Sequence, residues 1–438
     1  MSCSAGSHIL ASSPARAPFV TPLAAELADD VLERFLRYVV IDTQADVDST
    51  SYPSTDKQLD LSRLLLTELR ELGLEDARLT EHGYLFATLP GTVDGPVVGL
   101  LAHVDTTPAT PGAGVTPIIH RSYDGSPIVL PGAATQMLDP AETPELAVRV
   151  GHDIVTSDGT TLLGADDKAG VAEIMAAVAW LIRHPEAPRA PIRVGFTVDE
   201  ETGRGTDFFD LDEFGAELAY TLDGSGLGSL EIESFAAKEI DITISGRGIH
   251  PGTAKGKLVN SLKLAAELVA ALPRESLSPE TTDGREGFVH PVRIRGTTEE
   301  TVVTFIARDY DEAKLDEHVA LLQALADDVS RREPRARVSL EVEFQYPNMR
   351  EAIDEHPRVV EAAVEAYRRV GVEPIFEPIR GGTDGSRLSA AGLPTPNLFT
   401  GGQDYHSLRE WASVQDMAAA AAMVVELVGI WARPASSA

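Results

Sequence analysis

Apolar residues recur at helical spacing over residues 23–40, which predicts a helix, and again over 57–72, where Gly73 supplies a stop. The period then shortens. Runs at 77–80 and 84–89 predict short strands. The run VVGLLA at 97–102 is apolar without alternation, as in a strand buried on both faces, and it ends in His103-Val104-Asp105. Residues 106–161 show no such periodicity and are rich in Pro and Gly; they read as a long irregular connection, which inside a domain is usually functional or mobile. Helical spacing resumes over 168–184, and strands over 192–198 and 218–222 run into Asp199 and Asp223. Strands alternating with helices predict an α/β chain, built as a three-layer αβα domain around a mixed sheet.

From about residue 238 the rhythm changes. Strand 240–245, helix 257–272, strands 287–295 and 301–307, helix 312–331 and strand 337–344 give the order βαββαβ, a ferredoxin-like α+β insertion. The first rhythm then returns, with a helix over 357–370, a strand over 374–378, a glycine-rich loop, a strand over 396–399 and a closing helix over 413–431. The expected division is therefore a mobile leader at 1–22, a first domain at 23–235, the insertion at 236–348, and the rest of the first domain at 349–438.

Composition narrows the partners. The net charge of −31 would repel nucleic acid and anionic membranes, and it suits an acidic, solvated surface. No uninterrupted run of about 18 apolar residues stands out, so no membrane-spanning helix is expected. The leader lacks a basic stretch followed by a long apolar one, which argues against a signal peptide. The single cysteine, Cys3, precludes an internal disulfide and fits a reducing cytoplasm.

The candidate chemistry falls just after the predicted strands, where open α/β sheets place their ligands. Asp199, Glu200 and Glu201 are three adjacent acids, and like charges this close raise one another's pKa unless a cation or proton intervenes. His103 and Asp105 lie on the same side of an extended segment, so one can ligate while the other fixes its ring. Asp166 and Asp167 open a helix, where a capping role is equally open. Asp223 ends a strand and His406 lies in a polar loop. Each alone fits a solvated turn. Together, two histidines and several carboxylates match the ligand set of a two-metal hydrolase, in which ions roughly 3.5–4 Å apart share a water.

Five segments, AHVDT (102–106), TLLGADDKAG (161–170), DEETG (199–203), GIHPGTAKGK (248–257) and RGGTDGS (380–386), together resemble the peptidase T family. That family is the tripeptide aminopeptidase branch of a clan that also holds aminoacylases and glutamate carboxypeptidases. The segments occur in family order and spacing from about residue 23 onward. The resemblance implies two Zn2+ ions, one held by His103, Asp166 and Asp223, the other by Asp166, Glu201 and His406, with Asp166 bridging. It implies that Asp105 orients His103 and that Glu200 is the general base and acid. It makes the insertion a lid, used by many relatives for dimerisation, so that a homodimer through the lid is one expected arrangement. From the lid, His250 would bind the peptide carbonyl, while Arg308 and Arg380 would meet the peptide's carboxylate or backbone. Small peptides are then the expected substrates.

Two other signals fail on context. The run GSGLG at 224–228 is followed by a strand-like run, against a dinucleotide loop, and GTAKGK at 252–257 has the wrong spacing for a phosphate loop. The alternatives that stay open are another di-zinc exopeptidase or amidohydrolase of the clan (a dipeptidase, carboxypeptidase or N-acyl amino acid deacylase) and a metal-free binding protein.

Overall fold

The computed structural model describes residues 15–433, which divide into two compact units. One takes the described chain up to Leu230 with Arg358–Ile375 and the segment from Asn397; the other takes Glu231–Pro357 and Phe376–Pro396. The expected insertion, 236–348, lies within the second unit, which also takes in 349–357 and 376–396.

In the first unit the apolar run at 97–102 becomes the strand Val98–His103, buried at every residue. Ile192–Thr197 and Leu218–Gly224 flank it, both parallel to it. Asn397–Phe399 pairs parallel with Leu218–Gly224, and Leu85–Leu89 runs antiparallel beside Ile192–Thr197. All belong to one mixed eight-stranded sheet. The parallel pairing brings four carboxyl ends to one edge, and the segments that carry His103, Glu201, Asp223 and His406 leave from those ends.

The helices Pro22–Val39, Ala165–Arg183 and Val414–Trp431 pack on one another, and the second also lies on the sheet. Ala165–Arg183 is apolar nearly all round, the pattern of a core helix. Gly170 permits its close seat. A Cβ there would stand well inside contact distance of the Leu222 carbonyl oxygen and 2.5 Å from Asp167 Oδ1. The closing helix is interrupted by Gln415, Asp416 and Glu426 and is no uninterrupted apolar run, although it passes for a membrane span by length and mean composition. Val414–Trp431 is long and apolar enough, yet 89% of it is buried within the unit, so its apolar character is spent on the core.

Residues 106–161 are not an irregular connection. They form the strands Ile118–His120, Ile128–Val129, Met137–Leu138 and Ile154–Thr156 and the short helix Pro144–Ala147. Ile118–His120 and Ile154–Thr156 join Trp411–Ser413 and Gly402–Gln403 in a separate four-stranded sheet. Tyr123, Ile128, Leu130, Leu138, Leu146 and Ile154 bury with Trp411 as a small core of their own. Strands of two or three residues are too short for alternation to register in sequence. The expected leader is also fixed in part. The Ala17 amide donates to the Gly151 carbonyl at 2.7 Å, Arg16 pairs with Asp153 at 2.9 Å, and Thr21 caps the first helix. Residues 1–14, with Cys3, lie outside the described residues.

In the second unit the antiparallel sheet runs Phe288–Gly296, Glu300–Asp309, Ala236–Ser245, Arg337–Tyr346. With the helices Ser261–Ala270 and Glu312–Arg332 this is the ferredoxin-like βαββαβ order. Ile240, Ile242, Val303 and Phe305 from the sheet bury against Leu315, Leu322 and Val329 from the longer helix. The helix expected from residue 257 begins at Ser261 instead, because the Asn260 side chain caps it by accepting from the Lys263 amide at 3.3 Å.

Gly170→Ala should lower stability by about 1–3 kcal/mol, as overpacking of a dense interior does. A denaturant midpoint equal to that of the parent chain would contradict this account of the helix–strand contact.

Candidate active site

The loop after Ile192–Thr197 separates its three acids by their surroundings. Asp199 is fully buried and sits in the left-handed region at φ 60°. Its carboxylate accepts from the Ser54 hydroxyl, from the Ser54 amide at 2.6 Å and from Gln58 Nε2 at 2.6 Å. Asp199 therefore anchors the loop to Ser54 and to Gln58, the first residue of the helix Gln58–Glu71. Glu200 and Glu201 form the turn that follows, and Asp105 holds it: Oδ1 accepts the Glu200 amide and Oδ2 the Glu201 amide, each at 3.1 Å. Asp105 also lies beside His103 Nδ1, which has the Asp105 carbonyl at 3.1 Å and Oδ1 at 3.4 Å. One buried carboxylate thus ties the end of one strand to the turn at the end of its neighbour.

The pair at 166–167 divides in the same way. Asp167 Oδ1 accepts the Gly170 amide at 3.2 Å as a helix cap, and its Oδ2 accepts the His103 amide at 3.1 Å. Asp166 points elsewhere. Its Oδ1 lies 3.0 Å from His103 Nε2, and its Oδ2 3.1 Å from His406 Nε2. His103 Nε2 is also 3.6 Å from Asp223 Oδ1, and His406 Nε2 is 2.9 Å from Glu201 Oε2. Two groups result, His103 with Asp166 and Asp223, and Asp166 with Glu201 and His406. Within each, the nitrogen and oxygen atoms fall within 4.8 Å of one another.

Electrostatics make this arrangement costly without a cation. Burial, with Asp166 adding to it, pushes Glu201 up to about 7. Burial would lower His406, but its hydrogen bonds to Asp166 and Glu201 outweigh this and raise it to about 11. Burial likewise raises Asp223, and Asp167 well above the ordinary carboxylate range. Among the described residues, the ion-pair partners of Asp166, Glu201 and Asp223 are the two histidines, not Lys or Arg. Glu201 Oε1 is buried with no hydrogen-bond partner among the described residues. An orphaned carboxylate oxygen beside two imidazoles and two further carboxylates is a donor set that fits a pair of divalent metal ions, with Asp166 shared.

Sequence reasoning missed the residues that support these groups. Lys168 is buried, donates to the Ile41 carbonyl at 2.7 Å, and is pushed down by burial to about 8. Glu410 is buried and accepts from three backbone amides of 163–166. A lone acid four residues after a loop histidine carries no sequence signal that marks it.

The remaining expected site residues belong to the second unit. His250 is exposed, and its Nδ1 accepts the Gly252 amide at 3.1 Å. Arg308 lies on Glu300–Asp309, with Nε buried and unpartnered among the described residues and Nη1 3.5 Å from the Arg380 carbonyl. Arg380 is committed within its unit. Nη1 donates to the carbonyls of Gly284 at 2.8 Å and Glu286 at 2.9 Å, Nη2 donates to Thr282, and the guanidinium lies over the rings of Phe235 and Phe288.

Residues 158–429 match the model of peptidase family M20/M25/M40. Peptidase T from Geobacillus thermodenitrificans is 47% identical over 412 residues, 94% of this chain and 100% of that one. The chain belongs to the M20/M25/M40 family, in its peptidase T branch. Among solved structures, a tripeptidase from Staphylococcus aureus superposes with a TM-score of 0.71 at 23% identity, over 93% of this chain and 99% of that one. The Bacillus subtilis YXEP protein, a dinuclear metal binding peptidase from the M20 family, gives 0.62 at 14% identity, over 93% and 98%. At such identities the likeness is one of fold, and it covers both the sheet that carries the two ligand groups and the inserted unit of this M20 family chain.

Asp199→Ala should leave Ser54 and Gln58 buried without their acceptor and cost about 1–3 kcal/mol. Calorimetry should register the loss, while the metal content per chain stays that of the parent. Loss of metal from this variant would place Asp199 among the ligands instead.

Proposed function

We propose that this chain is a di-zinc aminopeptidase that releases the N-terminal residue of tripeptides. The observation that carries the reading is the convergence of two ligand groups on a shared Asp166, with Glu200 held beside Glu201 by Asp105. The substrate class is supported by 47% identity, over nearly the whole chain, to a peptidase T.

His103, Asp166 and Asp223 would hold one zinc, and Asp166, Glu201 and His406 the other. Bound there, the two ions would supply Lewis acidity and bring the pKa of water toward neutrality. Glu200 takes a proton from the attacking water and returns it to the leaving amine. Asp105 keeps His103 in one tautomer and orientation, and it fixes the backbone of the turn from which Glu200 works. His250 donates to the peptide carbonyl as negative charge develops on its oxygen. Arg308, whose Nε is buried and unpartnered among the described residues, meets the peptide's carboxylate or backbone, whereas Arg380 would do so only by giving up its bonds to Gly284, Glu286 and Thr282. A cytoplasmic setting is supported by the single cysteine, and a homodimer through the second unit is the arrangement the family resemblance suggests.

Two experiments test the reading. Unblocked tripeptides should be cleaved well ahead of dipeptides, N-acyl amino acids and N-blocked tripeptides; equal turnover of blocked and free tripeptides would exclude an aminopeptidase. Glu200→Ala should lower kcat by about 10²–10⁴ with metal retained, the range for loss of a general base, whereas Glu201→Ala should lose metal. Exchange of those two outcomes would reverse the roles assigned here.

A further inference from the structure

Glu410 is 1% exposed and belongs to neither ligand group, yet both of its carboxylate oxygens are engaged. Oε2 accepts the amides of Leu163 at 2.8 Å and Gly164 at 2.7 Å, and Oε1 accepts the amide of Asp166 at 3.0 Å. These amides belong to the turn that delivers Asp166, in which Gly164 takes φ 85°. Buried amides in such a turn need an acceptor, and Glu410 supplies it for all three.

Glu410 also stands four residues after His406, and the loop between them is closed on itself. Trp411 Nε1 donates to Asp404 Oδ2 at 3.3 Å, and the Ser407 hydroxyl to the Asp404 carbonyl at 2.7 Å. The Thr110 hydroxyl donates to the His406 carbonyl at 2.6 Å, and His406 is held at φ 57°. Two chain segments that would otherwise move independently are thereby stitched together at the point where each presents a ligand atom.

We propose that Glu410 is the positioning residue that fixes Asp166 relative to His406, and so sets the metal affinity of the group formed by Asp166, Glu201 and His406. The inference rests on the two-metal reading above. The other group is less dependent on Glu410, because His103 and Asp223 stand on strands of the central sheet that pair directly. The chemistry of the position is strict. Three N–H groups face it, so it must present acceptors only. In Glu410→Gln one oxygen becomes an NH₂ donor, and no rotamer of the amide satisfies all three amides. Glu410→Asp keeps the acceptors but falls one methylene short.

The test is calorimetric titration of the metal-free chain with Zn²⁺, read beside its thermal midpoint. The parent chain should take up two equivalents. Because Asp166 is shared, Glu410→Gln should weaken the first by less, and the second by about 10–100-fold, the range for loss of a group that orients a metal ligand. Glu410→Asp should weaken the same equivalent by less, and it serves if the glutamine variant does not fold. Glu201→Ala should delete that equivalent, and adding Glu410→Gln to it should change the remaining one by much less than the roughly 10–100-fold expected for the second. A purely structural Glu410 would lower the midpoint and either leave both affinities unchanged or weaken both equally; either result overturns the proposal. A parent chain that binds only one equivalent would overturn the two-metal reading itself, and this proposal with it.

Discussion

Mutual repulsion among carboxylates crowded at one edge of the central sheet is the constraint on which the rest of the first unit depends. The fold answers it by giving each acid a different partner. Asp105, Asp167, Asp199 and Glu410 spend their oxygens on backbone amides or on Ser54 and Gln58. Their charge is compensated locally by dipoles, and in return they fix the local chain direction. Among the described residues Asp166, Glu201 and Asp223 have only imidazoles for ion-pair partners, which leaves an excess of negative charge directed into one small volume. Members of the two classes stand side by side in sequence: Asp166 beside Asp167, and Glu201 two residues from Asp199. Neighbours in sequence therefore never compete for the same role.

What was legible in the sequence follows from the length of each pattern. The fully apolar run before His103 and the long periodic helices at 165–183 and 414–431 are stable signals, because burial on all sides leaves few alternatives. The βαββαβ order of the second unit was legible for the same reason, since its strands of nine or ten residues show clear periodicity. The stretch 106–161 was not, because its strands are two or three residues long and its core is completed by Trp411, far away in sequence. At the site, the ligand candidates could be seen as acids and histidines at strand ends. The division of labour between Asp166 and Asp167, and among the acids of 199–201, could not. It depends on which amide or hydroxyl lies opposite each oxygen, and those groups come from residues 54, 58 and 103, while the Asp105 carboxylate receives the amides of Glu200 and Glu201; the nearness of all four is created by folding.

The long reach of these contacts also orders events in time. The group of Asp166, Glu201 and His406 draws on segments separated by 240 positions, and the acceptor that sets the turn before Asp166 comes at position 410. A chain still emerging from the ribosome holds His103, Asp166, Glu201 and Asp223 long before His406 and Glu410 exist. Until then the turn at 163–166 has no carboxylate to receive its amides, and the second ligand group is incomplete. The βαββαβ run, by contrast, is contiguous and carries its own core. A pair of ligand groups drawn from segments this far apart is complete only once His406 and Glu410 have joined the rest, so a partial chain that lacks them holds the first group without the second.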